Sequence, residues 1–212
     1  MFKYSLTFLV SLFLAFNVVA VEPKLIGLVG QKRVGKDTAA DYLESKYHLK
    51  KYAMATPMKD ALKSLFLLSD AQLYGDQKEV VDPRWGVTPR ELMDFIGVDT
   101  LKYNLPKKFP QIGDIYIKHL HFKMMAHPED SLAICDVRFQ KDVDALKKLG
   151  GVIIKITRPK LENNDQHISE KGVLNITGID YAIENNGSIK DLHKKLDQIM
   201  AQASVKAGKP NK

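Results

Sequence analysis

One short stretch near the start of the chain limits what it can fold into more than any other feature. Gly30-Gln31-Lys32-Arg33-Val34-Gly35-Lys36-Asp37-Thr38 follows the apolar run Lys24–Val29 and precedes apolar residues at helical spacing, Ala39, Ala40, Tyr42, Leu43 and Tyr47. Strand, glycine-bearing turn and helix in that order open an α/β unit. Gly30 and Gly35 let the backbone curl until its N–H groups point inward at an anion, and the next helix adds the positive end of its dipole. Lys36 reaches terminal phosphates as a point charge. The residue after the lysine is Asp37, where this pattern ordinarily has Ser or Thr. Asp37 can hold Mg²⁺ directly or through water, Thr38 can share the task, and the sequence does not choose between them. Arg33 either reaches a phosphate or is solvated.

Further strands are expected at Leu132–Val137, Val152–Ile156 and Asp180–Ile183. Helices are expected at Thr38–Tyr47, after Pro57, from Thr88 to Gly97, and over Tyr116–Ala126, Lys141–Leu149 and Ile189–Ala203. Thr88 is a natural cap, Pro89 suits the first helical position, and Glu91 completes a capping box. Residues 69–87 read as polar and turn-rich, and residues 102–113 as a loop with two prolines. Strands alternating with helices give an α/β fold, a parallel sheet covered on both faces.

Asp136 ends the apolar run Leu132–Cys135, and Arg138 follows two residues later. An acid at the carboxyl end of a buried strand is a second metal candidate; the plainer reading is an Asp–Arg pair that caps the strand. Arg84 and Arg90 flank the helix start at Thr88 and can clamp a phosphate bidentately, with Trp85 and Phe95 near enough to stack on a base. A surface ion-pair network with ordinary core aromatics is the competing reading. Lys59 and Asp60 lie one helical turn past Thr56. Arg158 ends a strand, and the irregular segment beyond it, with His167, Ser169 and Glu170, reads as a lid or as exposed loop. His167 lacks metal-ligand spacing.

The net charge of +7 suits a polyanionic ligand without choosing one, and the lysines of residues 194–212 read as a solvated face. No basic stripe interleaved with aromatics is present, so no nucleic acid partner is expected. The single cysteine, Cys135, cannot form an internal disulfide and reads as a core residue. Residues 1–20 pull the other way: Lys3, an apolar stretch Leu6–Phe16 and Val18-Val19-Ala20 have the pattern of a secretory signal peptide. A cleaved leader, an uncleaved membrane anchor and a helix docked on the domain all fit, so localisation stays open. Residues 21–205 read as one domain and 206–212 as a tail.

The chain resembles the phage and viral deoxynucleoside monophosphate kinases over Leu25 to about Leu192. The resemblance is carried by G-Q-K-R-V-G-K-D-T from Gly30, M-K-D-A-L from Met58, L-Y-G-D-Q-K-E from Leu73, D-P-R-W-G-V-T-P-R-E-L from Asp82 and F-I-G-V-D from Phe95. It continues in C-D-V-R-F from Cys135, I-T-R-P from Ile156 and H-I-S-E from His167. The resemblance implies a P-loop NTPase three-layer fold with a helical acceptor-binding insertion over about 55–128 and a short lid over about 157–173. It implies transfer from ATP, with Mg²⁺, to a small-molecule nucleotide. Gly30, Arg33, Gly35, Lys36, Asp37, Thr38 and Arg158 would bind ATP. Lys36, Arg90, Asp136 and Arg138 would sit at the reaction, and Asp37, Thr38 and Asp136 would hold the metal. Substrate contacts would come from Lys59, Asp60, Arg84, Trp85, Arg90, Asp99 and Glu170. The leader departs from the family pattern. A phosphomevalonate- or dephospho-coenzyme-A-type kinase, an ATPase acting on a macromolecule, and an exported idle relative are the alternatives. The oligomeric state stays open, a homodimer included.

Overall fold

The structure is a computed structural model that describes residues 22–159 and 172–207. Its strands are β1 (Leu25–Val29), β2 (Lys50–Tyr52), β3 (Leu132–Val137), β4 (Val152–Thr157) and β5 (Tyr181–Glu184). Its helices are α1 (Lys36–Tyr47), α2 (Thr56–Phe66), α3 (Asp70–Leu73), α4 (Pro89–Asp94), α5 (Leu105–Lys108), α6 (Ile115–Ala126), α7 (Gln140–Lys148) and α8 (Ile189–Ala207). The strands form one parallel sheet in the order β2-β3-β1-β4-β5, so β1 is central and delivers the glycine turn to the middle of the carboxyl edge.

Alternation along the strands sends side chains to two faces. Ile26, Leu28, Ala133, Ile154 and Ile156 pack with Ala39, Ala40 and Leu43 of α1 and Leu192 and Leu196 of α8. Leu25, Val29, Ile134, Val137 and Ile153 pack with Leu120 of α6 and Val143 and Leu146 of α7. Each fully buried leucine or isoleucine contributes roughly 1.5–3 kcal/mol, which makes this three-layer arrangement the source of most of the stability. Cys135 is buried in the sheet, and burial pushes its thiol up to about 12, as a core residue requires. Between β2 and β3 the chain leaves the sheet, and Met58 and Leu62 of α2 join Leu68, Leu73 and Met93 in a separate small core.

Several elements differ from expectation. α1 begins at Lys36, two residues early, because Gly35 itself takes the cap position. The strand β2 escaped notice because its three residues, Lys-Lys-Tyr, carry no apolar alternation. Residues 69–87 contain α3, capped by Ser69 and Gln72, and a 3₁₀ turn, Asp76–Glu79. Thr88 and Glu91 do form the expected capping box. The helix does not stop at Gly97, however. It widens into a π-helical stretch, Phe95–Asn104, and runs on into α5. Residues 102–108 are therefore helical, with Pro106 just past the junction where the π-helical stretch passes into α5. The leader 1–20, most of the lid-like segment with Glu170, and the end of the tail lie outside the described residues. Among the described residues no helix is long and apolar enough to cross a membrane.

One polar clasp joins α8 to α1. Asp197 Oδ1 accepts hydrogen bonds from Tyr42 Oη, Tyr47 Oη and Lys46 Nζ, each at 2.7 Å. Partial burial works upward on this carboxyl, but the bonds from Lys46, Tyr47 and Tyr42 outweigh it and hold it down at about 2. A depressed folded-state pKa contributes stability above the ordinary carboxylate range, and that stability is lost as pH falls toward 2. Asp197→Ala is expected to lower the unfolding free energy at pH 7 by about 1 kcal/mol and to flatten the acid limb of the stability profile, read by urea melts across pH.

Candidate active site

The turn after β1 has the backbone its sequence demands. Gly35 has φ 108°, in the left-handed region, and Arg33 shares that region at φ 66°. A Cβ on Gly30 would collide with the backbone carbonyl of Ile156 on the neighbouring strand. Lys36 is only 7% exposed and donates to the carbonyls of Gly30 at 2.6 Å and Gln31 at 2.7 Å. Asn185, just past β5, donates its side-chain amide to the Val34 carbonyl at 2.8 Å and so fixes the outer wall of the turn.

The turn opens into a cleft of about 1130 Å³ between the sheet edge and the α2–α6 insertion. Asp136 stands on its floor at the end of β3. Its two oxygens accept the backbone amides of Met54 at 2.8 Å and Ala55 at 2.9 Å, which leads the chain into α2. Burial pushes this carboxyl upward, and the two amides oppose the shift. Lys32, Arg33, Lys36, Lys59, Lys78, Arg90 and Arg138 also line the cleft. Burial, then Lys78, brings the Lys59 ammonium down to about 8; Asp136 opposes this, while Arg138 and Arg90 add to it. Burial, then Arg90 and Lys32, lowers Lys78 as well. Glu79 lies between the two sides, 3.7 Å from Lys32 and 3.2 Å from Arg90. Such a concentration of cations with depressed ammonium groups suits a ligand carrying several negative charges. The inner end is different: Met58, Met93, Val98, Tyr116 and Phe139 give it an apolar and aromatic wall.

The structure thus brings Arg33, Lys36, Asp37, Lys59, Arg90, Asp136 and Arg138 to one cleft, with Gly30, Gly35 and Thr38 forming the turn and helix start beside it. Other candidates lie elsewhere. Arg84 grips Asp82, with Nε at 2.9 Å, and also bonds the Leu67 carbonyl. Trp85 donates its indole N–H to the Phe66 carbonyl at 2.8 Å and meets the Phe66 ring edge to face. Both fold the 82–87 turn back on α2, away from the cleft. Asp60, Asp99 and Arg158 are exposed and do not line it. Sequence reasoning missed Asn185, Lys78, Glu79 and Lys102. Asn185 left one signal, a polar residue at the carboxyl end of the last strand.

A curled glycine turn between a central parallel strand and a helix, with its lysine in the curl, defines a P-loop protein of three layers. A family model for deoxynucleotide monophosphate kinase matches residues 24–80 and 69–196. A protein of Acanthamoeba polyphaga mimivirus, named provisionally as a deoxynucleotide monophosphate kinase, is 40% identical over 189 residues, covering 85% of this chain and 97% of its own. The deoxynucleotide monophosphate kinase of Enterobacteria phage T4 is 25% identical over 242 residues, covering 82% and 97%. The chain belongs to the deoxynucleotide monophosphate kinase family and is an enzyme of that type. Among solved structures, the dephospho-CoA kinase from Campylobacter jejuni superimposes with a TM-score of 0.45 at 14% identity, over 87% of this chain and 98% of that one.

Asn185→Ala removes the side chain that ties Val34 to β5. It is expected to cost about 1–3 kcal/mol of stability, read by thermal unfolding, and to speed amide exchange in residues 31–36 more than in α7.

Proposed function

We propose that the enzyme transfers the γ-phosphoryl group of ATP to the phosphate of a deoxynucleoside monophosphate, giving the diphosphate and ADP. The observation that carries this reading is a single cleft with the curled turn and Lys36 at one side and Lys59, Lys78, Arg90 and Arg138 facing them. The turn amides and Lys36 bind the donor phosphates, and the facing cations hold the acceptor phosphate, with its nucleoside against the apolar inner wall.

An acceptor phosphate oxygen attacks the γ-phosphorus in line, and the bond from that phosphorus to the β-bridging oxygen breaks. The attacking oxygen is already anionic, so no general base is needed. The work of the protein is positioning and charge stabilisation: Lys36, Arg90 and Arg138 stabilise the negative charge spread over the transferred group. Water must be kept from the γ-phosphate during transfer, or ATP would be hydrolysed. Among the described residues no cluster of three or more carboxylate, histidine or cysteine ligands could hold a metal. Mg²⁺ is held chiefly by phosphates and waters with one or two protein oxygens. Asp37, whose carboxylate lies 3.1 Å from Lys51 Nζ, and Thr38 at the start of α1 would supply such oxygens, as would the remaining lone pairs of Asp136. When bound, the ion neutralises charge on the β- and γ-phosphates.

Purified protein given MgATP and each deoxynucleoside monophosphate separately should release ADP in a coupled assay, with the diphosphate confirmed by chromatography. Lys36→Ala is expected to cut kcat by about a hundredfold or more. Absence of transfer to every acceptor, or full activity in that variant, would refute the reading. A second prediction concerns pH. Lys59 is cationic below about 8 and loses its charge above it. With ATP kept well below its own KM, the kcat/KM for the acceptor reports the enzyme without bound nucleotide, so it should fall as pH rises through about 8. Lys59→Arg, which stays charged, should remove that break.

A further inference from the structure

One ammonium group in the cleft is tied into three elements at once. Lys102 comes from the π-helical stretch of the insertion, and its side chain is only 7% exposed. Its Nζ donates to Asp142 Oδ1 at 2.8 Å and lies 3.1 Å from Asp114 Oδ2. It also sits 4.2 Å from the centre of the Phe139 ring. Asp142 is 2% exposed, and its other oxygen accepts the backbone amides of Arg138 at 3.1 Å and Phe139 at 2.9 Å. Asp114 uses its other oxygen to cap α6 through the amides of Tyr116 and Ile117. The acceptor-side insertion, the start of α6 and the turn that carries Arg138 therefore meet at Lys102. Each carboxylate already serves backbone amides with one oxygen, so neither can turn away without releasing them. Without the ammonium two carboxylates would face one another in a buried site, which is strongly unfavourable.

We propose that Lys102 is a positioning residue: through Asp142 it fixes the backbone of Arg138 against the acceptor-binding insertion, so that the two sides of the cleft keep the spacing that phosphoryl transfer requires. The proposal rests on the kinase reading for its effect on rate. The tie itself does not. Lys102 lines the cleft, but the two polar partners of its Nζ described above are carboxylates of the protein, so its role is exerted through them. Burial works downward on this ammonium, but the two carboxylates, Asp142 foremost, outweigh it and raise its pKa above the ordinary value, so it stays charged at neutral pH.

The test uses the full chain with Lys102→Met, Lys102→Arg and Asp114→Asn. Lys102→Met should lower kcat by about a hundredfold, as expected for misplacement near 1 Å, with KM for ATP within about twofold of the parent. Lys102→Arg, which can still bridge two carboxylates, should recover most of that loss. Asp114→Asn, which spares the Asp142 contacts, should show a smaller fall in kcat of about tenfold. Amide exchange at Arg138 and Phe139 should rise in Lys102→Met and Asp114→Asn while exchange in residues 31–36 stays unchanged. That exchange measurement needs no turnover, so it decides the tie even if the parent protein phosphorylates nothing and the kinase reading falls. Should Lys102→Met not fold, the other two variants decide by the same readouts. Unchanged exchange at Arg138 and Phe139 in folded Lys102→Met, or in Asp114→Asn where Lys102→Met does not fold, overturns the proposal, and so does a loss confined to KM with kcat intact.

Discussion

Cations do not gather in a cleft unaided. Their mutual repulsion has to be held in check by contacts to something else, and the arrangement of those contacts explains much of this structure. Lys36 is held by two carbonyls of its own turn, Arg90 and Lys32 share Glu79, and Lys102 sits between two carboxylates. Lys59 and Lys78 show the strain, because burial and basic neighbours lower both ammonium groups, Lys59 to about 8. A polyanion relieves the repulsion in a way that water does not, since a nucleotide brings its charge into the same low-dielectric space.

The parts of the site that depend on backbone geometry were legible in the sequence. Gly30 and Gly35 sit where a side chain would collide or where φ is positive, so the pattern reports its own conformation. Asp136 was legible for a related reason: the end of an apolar run marks the carboxyl edge of a buried strand, and that edge is where a parallel sheet presents its ligands. Arg84 and Trp85 shared their motif with Arg90, and nearness in sequence suggested nearness to the ligand. Asp82 and the Phe66 carbonyl decide otherwise, by drawing both side chains back onto α2.

What stayed hidden was set by distant contacts or by a rare backbone form. Lys102 looked like a loop residue because no residue preference marks a π-helix and because two prolines follow. Its partners lie forty residues ahead at Asp142 and on the far side of α5 at Asp114. Lys78 and Glu79 stood in one of the motifs of the resemblance, but a single 3₁₀ turn leaves no periodicity to show where they point. In each case the local sequence was consistent with the fold, but the function of the residue depended on what the topology placed beside it.

The bond from Asn185 to the Val34 carbonyl spans 151 positions of the chain. A nascent polypeptide emerging from the ribosome would present the glycine turn early, yet the brace for that turn arrives only after β5 has been synthesised. Truncated products that end before residue 185 would carry the complete motif without this brace. The shape of the turn thus draws on the last strand as well as the first, and belongs to the assembled sheet rather than to the motif alone.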